Sequence, residues 1–239
     1  MNFKSALSAT IVGATMMMAG TAYAQTAVSS VPVFNTGVDA NRNIQADGTR
    51  DTHYVATTGN NSSATAAQLA GLGATQAYVY SNANYITPAN STLTPAAFIS
   101  QGPSGASTAV QTTYSTTFDL TGFTRVQVTG RFSADNGAVA YLNGFQIAAT
   151  DTSTDMTSFT ASYPFGATSP FVAGTNILSF VVTNFGGVPG STSNPAGLFV
   201  TNLLVNGDRA VPGPIAGAGL PVLLGLAGAA FVRRRRMAA

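Results

Sequence analysis

The sequence contains no cysteine, no tryptophan and no glutamate, and its only lysine and only histidine are Lys4 and His53. Without cysteine the chain can form neither a disulfide framework nor a thiolate nucleophile, so its stability depends on a packed core. Acid–base chemistry at neutral pH is confined to aspartates, hydroxyl groups and His53, because glutamate is missing and Lys4 lies at the extreme N-terminus. These absences argue against most classes of enzyme.

Charge is scarce, and much of the positive charge lies at the two ends of the chain. Charged residues make up 8% of the sequence, and the formal net charge is +2. Setting aside Lys4 and the terminal arginines leaves five arginines against eight aspartates, a net charge of −3. A nucleic-acid-binding domain carries a clustered basic face. We therefore expect no nucleic-acid partner.

A long apolar run lies near the C-terminus. Residues 215–232 carry no charged side chain, and at about 1.5 Å per helical residue they can cross a hydrocarbon core about 30 Å thick. The run predicts a transmembrane helix. Four arginines follow it and are expected in the cytoplasm, with the chain before Val211 on the other side of the membrane; they are Arg233, Arg234, Arg235 and Arg236.

The N-terminal residues 1–24 have the features of a secretory signal peptide. Lys4 precedes an apolar stretch, and Ala22-Tyr23-Ala24 is a site of small residues suited to cleavage before Gln25. The sequence thus predicts an exported protein, held in the membrane by its C-terminal helix.

Residues 25–210 are long enough for one domain with a sizeable core. In "RVQVTGRF" the apolar residues Val126, Val128 and Phe132 alternate with polar ones, which is the pattern of a strand with one wet face. Asn143-Gly144 lies between two apolar runs and favours a type I′ hairpin turn. Further runs at 176–184 and 197–205 are rich in β-branched and aromatic residues. We expect an all-β, antiparallel β-sandwich.

The segment "SADNGAVAYLNG" supplies a candidate ligand site. Asp135, Asn136, Tyr141 and Asn143 are close in sequence, and loops at strand ends of a sandwich are common places for ligands. The same residues are also good turn formers, so ordinary turn chemistry is the alternative.

A second group of oxygen-bearing side chains suggests a structural calcium site. Asp39, Asn41, Asp47 and Asp51 crowd into one turn-rich segment, and calcium prefers oxygen ligands. The spacing is not that of an EF-hand, which needs glycine and glutamate where this segment has other residues.

Catalysis, if present, would have to use His53. Its nearest acid in sequence is Asp51, so the two are candidates for the base and orienting acid of a hydrolase. The alternative is that His53 is simply a polar side chain at the start of a strand.

The C-terminal segment resembles the PEP-CTERM sorting signal of Gram-negative bacteria. A proline-containing motif, an apolar span and an arginine cluster follow one another, although glycine stands at the centre of the motif where the family usually has glutamate. The resemblance implies a precursor that is anchored in the inner membrane and is recognised by exosortase, a membrane protease. The motif residues are Val211, Pro212, Gly213 and Pro214.

The exported part resembles a small β-sandwich that is common in such proteins. The matching segments are "FNTGVDANRNIQADGTRDTHY", "YSTTFDLTGFTRVQVTGRFSADNGAVAYLNG" and "FVAGTNILSFVVTNFGG…NPAGLFVTNLLVNG". They imply a jelly-roll, galactose-binding-like topology of the kind used by carbohydrate-binding modules. The family also implies a place at the cell surface or in the extracellular matrix, in association with the exopolysaccharide of a biofilm. The expected function is a non-catalytic surface or matrix protein, and the alternative is a secreted hydrolase.

The arginine cluster is expected to control the topology of the precursor. Replacing Arg233–Arg236 with neutral residues should misorient or release the C-terminal segment, because arginines beside a span set its orientation. Membrane fractionation and processing assays measure the effect, with neutral substitutions at Arg125 and Arg131 as the control. A variant that fractionates and is processed like the parent would contradict the sorting interpretation.

Overall fold

The computed structural model describes residues 25–86, 94–105, 110–150, 158–185 and 194–211. The expected signal peptide, the sorting residues 212–214, the apolar run 215–232 and the arginine cluster lie outside these ranges and stay predictions. No helix within the described ranges is long and apolar enough to cross a membrane. The architecture below is that of one compact unit, Thr26–Ala210.

The regular secondary structure of the described residues is almost entirely β-strand. The elements in order are β1 (Gln25–Val31), β2 (Arg50–Thr58), α1 (Ala66–Gly71), β3 (Thr75–Val79), β4 (Ile99–Ser100), β5 (Gln111–Asp119), β6 (Phe123–Asp135), β7 (Gly137–Leu142), β8 (Phe145–Ala149), a 3₁₀ turn (Ser158–Thr160), β9 (Tyr163–Ala167), β10 (Thr175–Thr183) and β11 (Gly197–Val211).

The strands pair in the order β8-β7-β10-β5-β2-β3-β4-β11-β6-β9, with β1 added beside β11. The pairs along this path are antiparallel. The expected all-β, antiparallel fold class is therefore confirmed.

Strands that are far apart in the pairing order meet through their side chains. Phe180 on β10 packs against Phe132 on β6 and against Phe165 on β9. In both pairs the ring centroids are 5.6 Å apart. The sheet therefore folds over, and its two halves enclose the main core. Other large members of that core include Tyr54, Tyr114, Leu142, Leu178 and Val205.

Strand β6 shows how the sequence pattern becomes a buried face. Val126, Val128 and Phe132 are buried, whereas Arg125 is exposed and pairs with Asp208 on β11. The alternation predicted from the sequence is confirmed, because successive side chains of a strand point to opposite faces of the sheet.

The hairpin between β7 and β8 has the expected turn. Leu142 pairs with Phe145, and the two residues between them, Asn143 and Gly144, have φ values of 50° and 85°. Two positive φ values define a type I′ turn, which matches the natural twist of the flanking strands.

Gly144→Val is expected to reduce the free energy of unfolding by about 1 kcal/mol or more, because a β-branched residue is strained at positive φ. A side chain there would also meet Ser63 at 3.3 Å. Thermal or urea unfolding measures the loss. Gly71→Ala, at a position in α1 with open space and no positive φ, is the control and should not reduce stability. Equal stabilities for Gly144→Val and the parent would contradict the role given to the turn.

Candidate functional site

In one half of the sheet, one residue from each of four neighbouring strands lies in a row, and this row fixes the register at the candidate site. Val79 on β3 pairs with Ile99 on β4, Ile99 with Leu198 on β11, and Leu198 with Ala134 on β6. All four side chains are buried in the core of the domain. The next position along each strand must therefore point to the opposite, outer face of this half-sheet.

That outer face carries a second, separate aromatic cluster. Its buried members are Tyr85, Ala96, Phe98 and Phe199, and Tyr80, Ile86 and Phe159 pack against them. We call this set the outer aromatic cluster. It is assembled by the pleat of the strands. Phe98 and Phe199 each come directly before or after a residue of the main core, and Tyr80 follows the buried Val79.

Close approach of the rings to the sheet depends on Gly197. A β-carbon at this position would meet Phe98 at 3.2 Å and Tyr85 at 3.8 Å. The centroids of Tyr85 and Phe98 are 4.1 Å apart, and Tyr80 meets Tyr85 edge-on at 6.0 Å and 75°. Tyr80 and Tyr85 thus form a fixed corner, which is a preferred aromatic geometry.

The hydroxyl of Tyr85 is anchored behind the cluster. It donates a hydrogen bond of 2.6 Å to Oδ2 of Asp135, whose Oδ1 accepts one of 2.8 Å from Nδ2 of Asn136. Asp135 is only 4% exposed. Burial raises the pKa of the Asp135 carboxyl to about 6, against the opposing effect of the Tyr85 hydrogen bond. Burial, followed by the charge of Asp135, raises the pKa of Tyr85.

A pocket of about 290 Å³ opens against this cluster. Tyr80, Tyr85 and Phe98 provide its rings, and Ile44, Ile86, Ala96 and Ala97 add apolar surface. Ser81 and Asn82 are the polar lining residues, and no charged side chain lines it among the residues that the structure describes. A concave apolar surface with a few polar groups is the usual form of a small-molecule site.

Two other pockets of similar size have less to hold a ligand in a defined orientation. One, of about 330 Å³, lies between the N-terminal end of α1 and the β7–β8 turn and has no aromatic residue among its described lining residues. The other, of about 320 Å³, is lined by Phe185 as its one described ring. We therefore take the pocket at the outer aromatic cluster, hereafter the aromatic pocket, as the candidate site.

The four ligand residues expected from "SADNGAVAYLNG" do not form one site. Asp135 and Asn136 precede β7 and Asn143 follows it, so an extended strand of about 20 Å separates them. The Asn143 side chain bonds Pro170 and Asn176 and so braces the hairpin. Tyr141 lies on β7 and does not line the aromatic pocket. Only Asp135 adjoins the candidate site, through Tyr85.

The three aspartates of the expected calcium site, Asp39, Asp47 and Asp51, each accept hydrogen bonds from backbone amides. Asp39 Oδ1 accepts hydrogen bonds from the amides of Asn41 and Asn43, and Asp47 Oδ1 accepts one from the amide of Ser81. The bond from the Asn43 amide, the strongest influence, holds the pKa of Asp39 below its ordinary value. Within the described ranges, no three His, Cys, Asp or Glu side chains are grouped to hold a metal ion.

The pair expected for a hydrolase has a different role. Asp51 is fully buried, and its carboxylate accepts backbone N–H bonds from Gly37 at 2.6 Å, His53 at 2.7 Å and Tyr54 at 3.1 Å. Burial raises its pKa. The imidazole of His53 stacks on Phe34, with centroids 3.7 Å apart and planes 2° from parallel. His53 is the fourth residue of β2 rather than its first. Its bond to Asp51 runs through the backbone amide.

Sequence reasoning did not identify Tyr80, Tyr85 or Phe98. The tyrosines stand in "QAYVYSNANYI", where aromatic rings among asparagine and serine are a weak hint of a binding loop. Their meeting with Phe98 depends on the register of β3, β4 and β11, which the sequence pattern alone does not reveal.

No protein-family model matches the sequence, and no curated protein matches it. Among solved structures, the β-glucuronidase of an uncultured Clostridium species aligns over 66% of this chain and 22% of its own, with 16% identity and a TM-score of 0.34. A family 35 carbohydrate-binding module from an environmental isolate aligns over 54% of this chain and 88% of its own, with 19% identity and a TM-score of 0.30. The chain thus spans about a fifth of the glucuronidase. Likeness at this level assigns no function.

The Asp135 carboxyl is expected to make stability depend on pH. Its folded pKa of about 6 lies above its ordinary value of 3.8, so between these values the folded state holds a proton that the unfolded state has lost. Stability from this group therefore rises as pH falls from 7 to 4. Relative to the Asp135→Asn variant, the free energy of unfolding of the parent should increase by on the order of 1–2 kcal/mol as the pH falls over that range.

Chemical unfolding at both pH values measures the difference. Asp119→Asn is the control of opposite sign, because hydrogen bonds from Thr121 lower the pKa of Asp119. Measured against that variant, the parent should change little between pH 7 and pH 4 and should lose stability as the pH falls below the ordinary pKa value of 3.8, so this pair is also unfolded in that lower range. A parent and Asp135→Asn variant with parallel pH profiles would contradict the buried state of Asp135.

Proposed function

We propose that the protein is a non-catalytic, exported carbohydrate-binding protein of the cell surface or extracellular matrix, which binds an exopolysaccharide through the aromatic pocket. In this proposal residues 215–232 hold the precursor in the inner membrane, and an exosortase-type membrane protease recognises the segment from Val211 to Arg236. The domain itself would be a jelly-roll sandwich of galactose-binding-like topology.

The observation that carries the proposal is the corner of rings formed by Tyr80 and Tyr85. Sugars present an apolar C–H face beside their hydroxyl groups, and such a ligand suits a surface with an aromatic wall and a few polar groups. Ser81 and Asn82 lie at this wall. The structure describes a partner for Oδ1 of Asn82, which accepts from the Asn84 amide. It describes none for Nδ2 of Asn82 or the Ser81 hydroxyl, so both can serve a ligand.

The non-catalytic part of the proposal is supported by what the acidic side chains do. Asp51 binds three backbone amides, and Asp135 binds Tyr85 and Asn136. A general acid or base must reach the substrate. Neither of these buried carboxylates lines the aromatic pocket.

The full-length protein is expected to bind the matrix polysaccharide of its own cells without releasing soluble product. His53→Ala should bind as the parent does, because the His53 ring packs on Phe34 and not in the aromatic pocket. Co-sedimentation and reducing-end assays measure binding and turnover, each with and without a calcium chelator.

Each outcome of this experiment has a distinct meaning. Product release that disappears in His53→Ala would establish the hydrolase alternative and contradict the proposal. Binding lost only with chelator would restore calcium to the aspartate segment and contradict the placement of the site. Absence of any binding would contradict carbohydrate recognition itself.

A further inference from the structure

The charge around the aromatic pocket restricts the ligands that it can accept. Its described lining residues are uncharged. Two acidic groups bond to its lining residues: Asp47 accepts from the Ser81 amide, and Asp135 accepts from the Tyr85 hydroxyl. The guanidinium of Arg50 lies over the ring of Tyr78, 5.1 Å from its centroid. A uronate or sulfated sugar would thus bury its charge without a paired cation, at a high cost in free energy.

The size of the aromatic pocket limits the ligand to about one sugar unit. Ligand pockets commonly have volumes of about 300–1,000 Å³, and this one is at the lower end at about 290 Å³. An oligosaccharide would have its other units outside the pocket, in solvent. Recognition therefore concentrates on a single residue of the polymer.

The polar groups of the aromatic pocket are too few for a fully hydroxylated sugar. Ser81 and Asn82 are the described polar side chains at its surface, beside the apolar side chains of Ile44, Ile86 and Ala97. A hydroxyl buried without a partner costs free energy, whereas a buried methyl group gains it. A sugar that exposes a methyl group on one side and hydroxyls on the other satisfies both kinds of surface.

We infer that the aromatic pocket takes an uncharged sugar residue that carries a methyl group, in the form of a deoxy sugar or an acetylated sugar. The methyl group lies on the accessible apolar surface of the pocket, which is provided by Ile44, Ile86 and Ala97. The sugar ring lies against the corner of Tyr80 and Tyr85, and its hydroxyls meet Ser81 and Asn82. This inference depends on the proposed function and specifies its ligand.

Calorimetric titration of the full-length protein with methyl glycosides tests the inference. The panel consists of a 6-deoxyhexose, an N-acetylhexosamine, the corresponding unmodified hexoses and a hexuronate. We expect at least one methyl-bearing sugar to bind about tenfold or more tightly than its unmodified counterpart, and the hexuronate not to bind. The first two arms distinguish the deoxy from the acetyl source of the methyl group.

Variants then locate the binding. Tyr80→Ala removes one wall of the corner and should weaken binding by about tenfold or more, whereas Tyr80→Phe keeps the ring and should retain most of it. Phe145→Ala removes an aromatic ring that is 62% exposed at the β7–β8 hairpin and should have no effect. Loss of binding in Phe145→Ala alone would overturn the assignment to the aromatic pocket.

The outcomes separate this inference from the proposed function. Equal affinity for methyl-bearing and unmodified sugars, with loss in Tyr80→Ala, would leave carbohydrate binding intact and overturn the methyl requirement. Tighter binding of the hexuronate would also overturn the inference. No binding of any sugar or of the polysaccharide would overturn both.

Discussion

The alternation of side chains along β11 is the constraint on which the rest of the structure depends. Leu198 and Val200 point into the main core, and Phe199 between them points into the outer aromatic cluster. Because β11 pairs with β1, β4 and β6, this single period-2 pattern fixes the faces of its neighbours as well. A register slip of one residue would expose the core and bury the groups that now form the aromatic pocket. One face of β11 thus contributes to the core, and the other face contributes to the outer aromatic cluster at the candidate site.

The protein has few charged side chains, and this determines which groups it can offer to a ligand. The two buried aspartates of the described ranges already have hydrogen-bond partners within the protein. Asp51 accepts from backbone amides, including that of Gly37, and Asp135 accepts from the hydroxyl of Tyr85. Buried carboxylates of this kind stabilise only when they are fully hydrogen-bonded. What is left for a ligand is aromatic surface with neutral hydroxyl and amide groups. Such a surface recognises shape and apolar area more readily than charge.

The sequence predicted the features that local pattern determines. The alternation in β6 and the turn at Asn143-Gly144 are properties of consecutive residues, and both are confirmed. At helix α1 the sequence left a helical turn and a loop open, although Thr65 and Gln68 have the spacing of a capping box and make both of its bonds. The aromatic pocket could not be predicted in this way. Tyr80, Tyr85 and Phe98 meet only because the register of distant strands brings them together, and the candidate residues near Asn143 were close in sequence but lie at opposite ends of β7.

The central claim is that the outer face of the half-sheet at β11, and not the β7–β8 hairpin, is where the protein meets its ligand. The most direct measurement is a crystal structure of the protein soaked with the tightest-binding methyl glycoside. The account predicts a sugar bound against Tyr80 and Tyr85, with its methyl group toward Ile44 and Ile86 and its hydroxyls near Ser81 and Asn82. A sugar bound at Asn143 and Phe145, with the aromatic pocket empty, would contradict it.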